Sequence, residues 1–585
     1  MSAQTPRKQR LSAPLLARIR NRLLFLYGQN QGEEAFLRLE RMLEAFQRPA
    51  GVFSGGFDEK DVLLITYGDT LASAAESGLA ALARFCERRL GDLISAVHVL
   101  PFYPYSSDYG FSVVDYLSVN PELGTWSDVG NLRTRFKLMF DFVLNHVSAR
   151  SEWFQAFLRG DERFCDFFIC TDLQRDYSSV TRPRSSPLLT PFETSWGRRW
   201  VWTTFSADQI DLNYRNPDVL LAMLDVMLRY VELGADLLRM DAVGYLWKEV
   251  GTSCTNLPQA HEIVKLFRDV LDAVAPHVAI VTETNVPHRE NVGYFGDGRD
   301  EAQMVYQFAL PVLVLDAFAR EDARHLQDWT GSLNLPSETT AFFNFLASHD
   351  GIGVIPATGI LSQHEVDALV ERVLAHGGEV SYKTNHDGRD GVYELNITYY
   401  DALSSPHSSE RRERKRDRFL CSQAIMLALR GVPGLYIHSL FGSHNDTRRF
   451  LETGWKRDLN HGKLDLSWLE GELDDGQSEV AGVFAGYARL LRVRRAQAAF
   501  HPASPQRILP TGASVFGFQR GPHKGQIVVA LHNVSSEVQG VDAAVLPDVG
   551  AGYRDLLNGA LYGSSQPITL APYQVVWLVP QDAVR

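Results

Sequence analysis

The sequence predicts an α/β protein: a (β/α)8 TIM barrel with inserted loop subdomains, an N-terminal helical extension and a C-terminal β-sandwich. Three observations lead there. Short aliphatic and β-branched runs recur as "DVLLITYGDTL", "AVHVLPFYP", "KLMFDFVLNH", "GADLLRMDAV", "HVAIVTETN", "MVYQFALP", "TAFFNFLASHD" and "GVPGLYIHS", the pattern of strands buried on both faces. Helix-compatible stretches such as "NPDVLLAMLDVMLRYVELG" and "QAHEIVKLFRDVLDAV" separate most of them, as a parallel barrel requires. An open doubly wound sheet would be signalled by a glycine-rich dinucleotide loop, and the chain has none.

Residues 1–60 form the extension. "SAPLLARIRNRLLFLYG" and "EEAFLRLERMLEAF" carry apolar residues at helical spacing, with Phe36, Leu39, Leu43 and Phe46 on one stripe, which marks docked helices. "VFSGGFDE" reads as a loop. The barrel then occupies 61–498, interrupted by two connections too long for ordinary barrel loops, about 148–205 and 351–416; such insertions commonly carry specificity. The second contains "SSERRERKRDR", read as a solvated helix start with a capping serine. From 499 to 585, short apolar runs such as "SVFGFQR", "QIVVALHNVS" and "YQVVWLVP" between polar segments suggest the sandwich.

With 58 Lys plus Arg against 70 Asp plus Glu, the net charge of −12 disfavours nucleic acid or an anionic membrane as partner. The five cysteines, Cys86, Cys165, Cys170, Cys254 and Cys421, form no disulfide framework or zinc motif and read as buried reduced thiols, with a Cys165–Cys170 pair the one alternative. The basic N-terminus lacks the apolar core of a signal peptide, and no run reaches the length of a membrane span. A cytoplasmic location is the expectation.

Polar residues gather where the apolar runs end. In "GADLLRMDAVGY", strand alternation puts Arg239 and Asp241 on the same side. "DFVLNH" adds Asp141, Asn145 and His146, "VTETN" adds Glu283, and "FLASHD" adds His349 and Asp350. In a barrel such strand ends surround one pocket. Two carboxylates flanking a glycosidic bond support hydrolysis or glycosyl transfer. Glu283 can serve as acid/base if burial raises its pKa, and Asp241 as nucleophile if Arg239 holds it ionised. Asp350 would hold sugar hydroxyls, and both histidines can donate to sugar oxygens. A metal site is the competing reading. Arg239 beside Asp241, and the lack of a compact His/carboxylate motif, argue against it.

The motifs "DFVLNH", "LLRMDAVGY", "VTETN" and "FLASHD", in this order, resemble the α-amylase superfamily (glycoside hydrolase family 13). "PFYPYSSDYGFSVVDY", "WKEVGTSC", "ASHDGIGV", "NITYYDAL" and "FGSHND" resemble its sucrose phosphorylase branch. The extension and "LLTPFETSWGRRWVWTTFSADQIDLNYRNP" are similar to bacterial glucosylglycerate phosphorylases. The resemblance implies Asp241 as nucleophile, Glu283 as general acid/base and Asp350 as transition-state stabiliser. It further implies that Arg239, His146 and His349 surround the glucosyl ring, that Asp108 and Arg457 close on its far hydroxyls, and that Phe111 and Phe205 wall it. Arg184 in "VTRPRSS" and Tyr393 in "GVYELN" resemble the phosphate-facing pair; Arg182 reads instead as a surface salt bridge.

What the resemblance implies is a retaining phosphorylase, a hexosyltransferase of carbohydrate metabolism, acting through a covalent glucosyl-enzyme. Its partners would be inorganic phosphate, an α-glucosyl donor and a small polyol-acid acceptor, with no cofactor and no metal; a homodimer stays open. On the acceptor side the chain departs from sucrose phosphorylases. Thr284 and Asn285 replace a Val-His pair, and Gly391 replaces an acid, which suits an anionic acceptor such as D-glycerate by removing repulsion. Arg198 and Arg199 are left between an acceptor contact and the domain surface. Sucrose or sucrose 6F-phosphate phosphorolysis is the alternative, and a non-catalytic sugar-binding or scaffold protein is the alternative of another class.

Overall fold

The computed structural model describes residues 12–47, 56–384 and 390–581; the first eleven residues and the first half of "VFSGGFDE" lie outside them. Eight parallel strands close a barrel: β1 (Leu63–Thr66), β2 (Ala96–Val99), β3 (Lys137–Val143), β4 (Leu237–Asp241), β5 (Ala279–Thr282), β6 (Met304–Tyr306), β7 (Ala341–Asn344) and β8 (Val432–Tyr436). Each pairs with its sequence neighbours, and β8 returns to β1. Every predicted run supplies one strand. Apart from Lys137 and Ala279, which begin β3 and β5, their residues are buried, so both faces are covered and the strand ends alone reach a surface.

The extension is a helical hairpin, α1 (Ala13–Ala45), broken at Gly28, whose φ of 71° lies in the left-handed region that glycine tolerates. In a straight helix Arg20 and Glu33 would stand about 20 Å apart, yet their side chains pair. Close approach of the two arms needs Gly32, where a Cβ would lie 2.8 Å from the Leu23 carbonyl oxygen. Leu15, Ile19, Leu23 and Leu26 on one arm and Ala35, Leu39 and Leu43 on the other are buried against α2 (Pro217–Glu232) and α3 (Pro258–Val274). Phe36 and Phe46 are only partly buried at the edge of that stripe. Arg22 fixes the register, bonding Asp269 at 2.7 Å and Glu262 at 2.8 Å. The hairpin thus docks on the barrel wall.

The first insertion holds a helix, Glu152–Arg159, and a three-stranded sheet. It runs further than its sequence suggests, because Gln209–Asp211 pairs back onto His146–Ser148. The second carries Ile352–Gly353, Glu379–Thr384 and Asp390–Asn396 as another three-stranded sheet, with helix Gln363–Ala375 beside it. At the C-terminus a six-stranded antiparallel sheet is sandwiched. Phe516, Phe518, Val528 and Trp577 face the main core, while Val529, Leu531, Val576 and Leu578 meet Val541, Ile568 and Leu570 of a two-stranded sheet.

Two expectations are corrected. The capping serine before α4 (Arg412–Ala428) is absent: Arg411 takes the N-cap position without a side-chain cap. The charged run is not simply solvated either, since Lys415 is buried and donates to the Ser405 and Ser408 carbonyls, and Arg418 pairs with Glu410. Of the five thiols, all free, Cys165 and Cys170 are exposed rather than buried. No helix of the described residues is long and apolar enough to cross a membrane.

Because Asp269 is 2% exposed, Arg22→Met should leave it short of a partner, at a cost of roughly 3–5 kcal/mol for a fully buried pair and less here, where Arg18 also reaches it. Limited proteolysis should then cut within 13–45 faster than in wild type. Unchanged cleavage would show that the apolar stripe alone holds the hairpin.

Candidate active site

The C-terminal ends of the barrel strands converge on one cavity of about 70 Å³, lined by twelve of the residues singled out above: Asp108, Phe111, His146, Arg184, Phe205, Arg239, Asp241, Glu283, His349, Asp350, Tyr393 and Arg457. Its organiser is Arg239, 1% exposed. Alternation along β4 aims Arg239 and Asp241 inward, while Leu238 and Met240 pack into the core, and the β3–β4 register sets Arg239 beside Asp141. One guanidinium nitrogen bonds both Asp141 and, at 2.8 Å, Asp241. His98 closes Asp141 from behind at 2.6 Å. Phe111 and Tyr306 lie under the guanidinium at 5.4 and 5.5 Å, shielding it from water.

Immediately after Asp241 the chain turns through Ala242 in the left-handed region, φ 50°, a strain of about 1–2 kcal/mol for a residue with a Cβ. The turn aims the Ala242 N–H at Glu283, which accepts it at 3.0 Å. Asp350 sits opposite, ion-paired to Arg457 at 2.7 Å, and Arg457 also bonds Glu394 at 2.8 Å. His349 stacks on Phe111 with centroids 4.9 Å apart. His146 rests against the Phe111 carbonyl at 3.0 Å and against Phe205, 5.3 Å between centroids.

The environments drive the carboxylates apart. Burial raises Glu283 to about 8, with the nearby charges of Asp241 and Asp350 adding to it and Arg239 opposing. Burial likewise works against charge on Asp350, but Arg457 foremost, with Arg239 behind it, holds it well below the usual carboxylate range. Asp241 is pushed up by burial and held back chiefly by Arg239. At neutral pH a proton in this group therefore rests on Glu283 rather than on Asp350. Burial lowers His349 to about 3, so it is neutral, and raises Tyr393 well above its ordinary range, so it is a phenol.

Sequence reasoning missed Gln209 and Glu394, which also line the cavity. Gln209 donates to Asp108 at 3.0 Å; Glu394 follows Tyr393 in "GVYELN", and its signal was an acid between apolar neighbours in the buried half of its strand. Of the two residues after Glu283, only Asn285 lines the cavity; the Thr284 hydroxyl is taken by Asn291 at 2.6 Å. Arg182 bonds the Ser186 backbone carbonyl, not a surface carboxylate. Arg198 and Arg199 lie on an exposed strand, with Arg198 paired to Glu193 at 2.7 Å.

A closed parallel barrel with buried carboxylates at its strand ends is the frame of a glycosyl-transferring enzyme. The alpha-amylase catalytic-domain family matches residues 89–389, and the chain belongs to that family, in its sucrose phosphorylase branch. It is 50% identical over 569 residues to the glucosylglycerate phosphorylase of Allomeiothermus silvanus, covering 97% of this chain and 99% of the relative. Against the Escherichia coli glucosylglycerate phosphorylase it is 46% identical over 524 residues, 89% and 92% of the two chains. The crystal structure of sucrose 6F-phosphate phosphorylase from Thermoanaerobacter thermosaccharolyticum is similar at a TM-score of 0.71 and 25% identity, covering 81% and 94%.

Asp241→Asn removes one of the negative charges that raise Glu283. The Glu283 pKa should then fall below about 8 in an infrared carboxyl titration of the unliganded protein. An unshifted titration would show that burial alone sets it.

Proposed function

We propose that this protein catalyses the reversible phosphorolysis of 2-O-α-D-glucosyl-D-glycerate to α-D-glucose 1-phosphate and D-glycerate. The observation that carries the reading is end-to-end similarity to a glucosylglycerate phosphorylase at 50% identity, joined to a cavity whose carboxylates are held in unlike protonation states.

In the first displacement Asp241 attacks C1 of the glucosyl unit. The bond from C1 to the glycerate oxygen breaks, and Glu283 gives that oxygen its proton. A β-glucosyl ester on Asp241 results. In the second, a phosphate oxygen attacks C1 from the opposite face, Asp241 leaves as carboxylate, and Glu283 takes back a proton from the incoming phosphate. Two inversions retain the α configuration. Asp350, kept ionised by Arg457, stabilises the positive charge that develops at the ring. Phe111, Phe205 and the neutral His349 exclude water from it. Asp108 and Arg457 hold the far hydroxyls, and Arg184 with the Tyr393 phenol receives phosphate. In this reading the enzyme works in the cytoplasm on small molecules, without metal, nucleic acid or membrane.

Purified protein given glucosylglycerate should release glucose 1-phosphate only when phosphate is supplied, and the rate should fall as pH rises through about 8, where Glu283 loses its proton. Equal release of free glucose without phosphate would mark a hydrolase. In the reverse direction, higher kcat/KM with fructose or fructose 6-phosphate than with D-glycerate would overturn the acceptor.

A further inference from the structure

Past Asn285 and Tyr393 the glucosyl cavity adjoins a larger one of about 920 Å³. Its wall includes Asn285, two residues beyond Glu283, so it opens beside the group that serves the leaving oxygen in the reading above. Two cations line it, Arg182 and Lys383. Arg182 is engaged by the Ser186 carbonyl. Lys383 is half-buried, and among the described residues no carboxylate or carbonyl pairs with its ammonium. Burial is the one influence on its pKa, pushing it down, as for an ammonium without a counter-ion. Two of the acids in the same wall are already occupied, Glu290 by Asn256 at 2.8 Å and Asp367 by Gln363 at 2.8 Å. Asn285 offers the complementary group: its Oδ1 is buried without a hydrogen-bond partner among the described residues, held against Gly353, where a Cβ would meet it at 3.0 Å.

Strand pairing explains why no acid of the described residues meets Lys383. Glu379–Thr384 runs antiparallel to Asp390–Asn396, and Lys383 stands directly across from Gly391. Cross-strand partners share a face, and opposite charges there pair. An acid at 391 would neutralise Lys383; glycine puts nothing there. Tyr393 lies two residues along the same strand, about 7 Å, within reach of a lysine's four-carbon stem.

We propose that Lys383 binds the carboxylate of the acceptor, and that Asn285 Oδ1 accepts a hydrogen bond from the acceptor hydroxyl that is not glucosylated. The cavity thereby selects a short hydroxy acid over a neutral polyol. The proposal rests on the phosphorylase reading above and adds to it the residues that choose the acceptor.

The test uses full-length enzyme with glucose 1-phosphate as donor, and D-glycerate or glycerol as acceptor; the two differ by a carboxylate against a hydroxymethyl group. Wild type should prefer glycerate. Lys383→Met should raise the KM for glycerate about tenfold or more, the scale of a hydrogen bond to a charged group, with a much smaller change for glycerol, so that the preference collapses. Lys383→Arg should restore part of it. Gly391→Asp, which leaves the lysine in place, should lower the preference in the same direction by supplying an internal counter-ion. A wild-type enzyme with no preference for glycerate overturns the acceptor reading and this proposal together. Wild-type preference retained in Lys383→Met overturns the role of Lys383 alone.

Discussion

The site depends on one buried cation. Arg239 is enclosed by strands, rings and carboxylates, and a guanidinium in that position is tolerable only if its charge is met on the spot. Asp141 and Asp241 meet it from two strands at once. The same contacts therefore set the register of β3 against β4 at their ends, orient Asp241, and bring positive potential to the place where Glu283 and Asp350 also converge. Removing Arg239 would leave two carboxylates uncompensated in the barrel mouth, a loss of about 3–5 kcal/mol in comparable buried pairs.

Around that cation the protein gives like groups unlike chemistry. Burial, with two carboxylate neighbours adding to it and a single backbone N–H against it, leaves Glu283 its proton. Asp350 has the direct ion pair to Arg457, so it does not. Neither difference is written in residue type. Both come from where the loops after β5 and β7, and the segment carrying Arg457, place their side chains, which is why acid/base assignments follow environment rather than sequence. The left-handed turns at Ala242, Asp108 and Tyr109 concentrate backbone strain around the same cavity, as functional sites often do.

Much of this was legible in the chain. A strand covered on both faces must be apolar throughout, so the eight barrel strands announced themselves, and the charges interrupting such runs stood out as ion pairs or as groups in use. The apolar stripes of the extension marked helices, but neither their fold-back at Gly28 nor their docking on the barrel instead of a partner was readable from periodicity. What escaped were contacts created by the insertions. Glu394, Gln209 and Lys383 reach the site because long connections fold back over it, and the strand pairing of Gln209–Asp211 with His146–Ser148 has no local signature. The serine expected to cap α4 failed for a similar reason: tertiary partners such as Lys415 with the Ser405 carbonyl fix that helix start, overriding local preference.

The central claim is that Asp241 and Glu283 play different parts, nucleophile and proton carrier, although both are buried carboxylates a strand apart. The most direct measurement supplies α-glucosyl fluoride, whose leaving group needs little protonation, together with azide, which needs no general base, to Glu283→Gln and Asp241→Asn, with folded content followed by circular dichroism. The account predicts α-glucosyl azide, the retained product, from Glu283→Gln and none from a well-folded Asp241→Asn. Retained product from both variants, or near-normal phosphorolysis by Asp241→Asn, would contradict it.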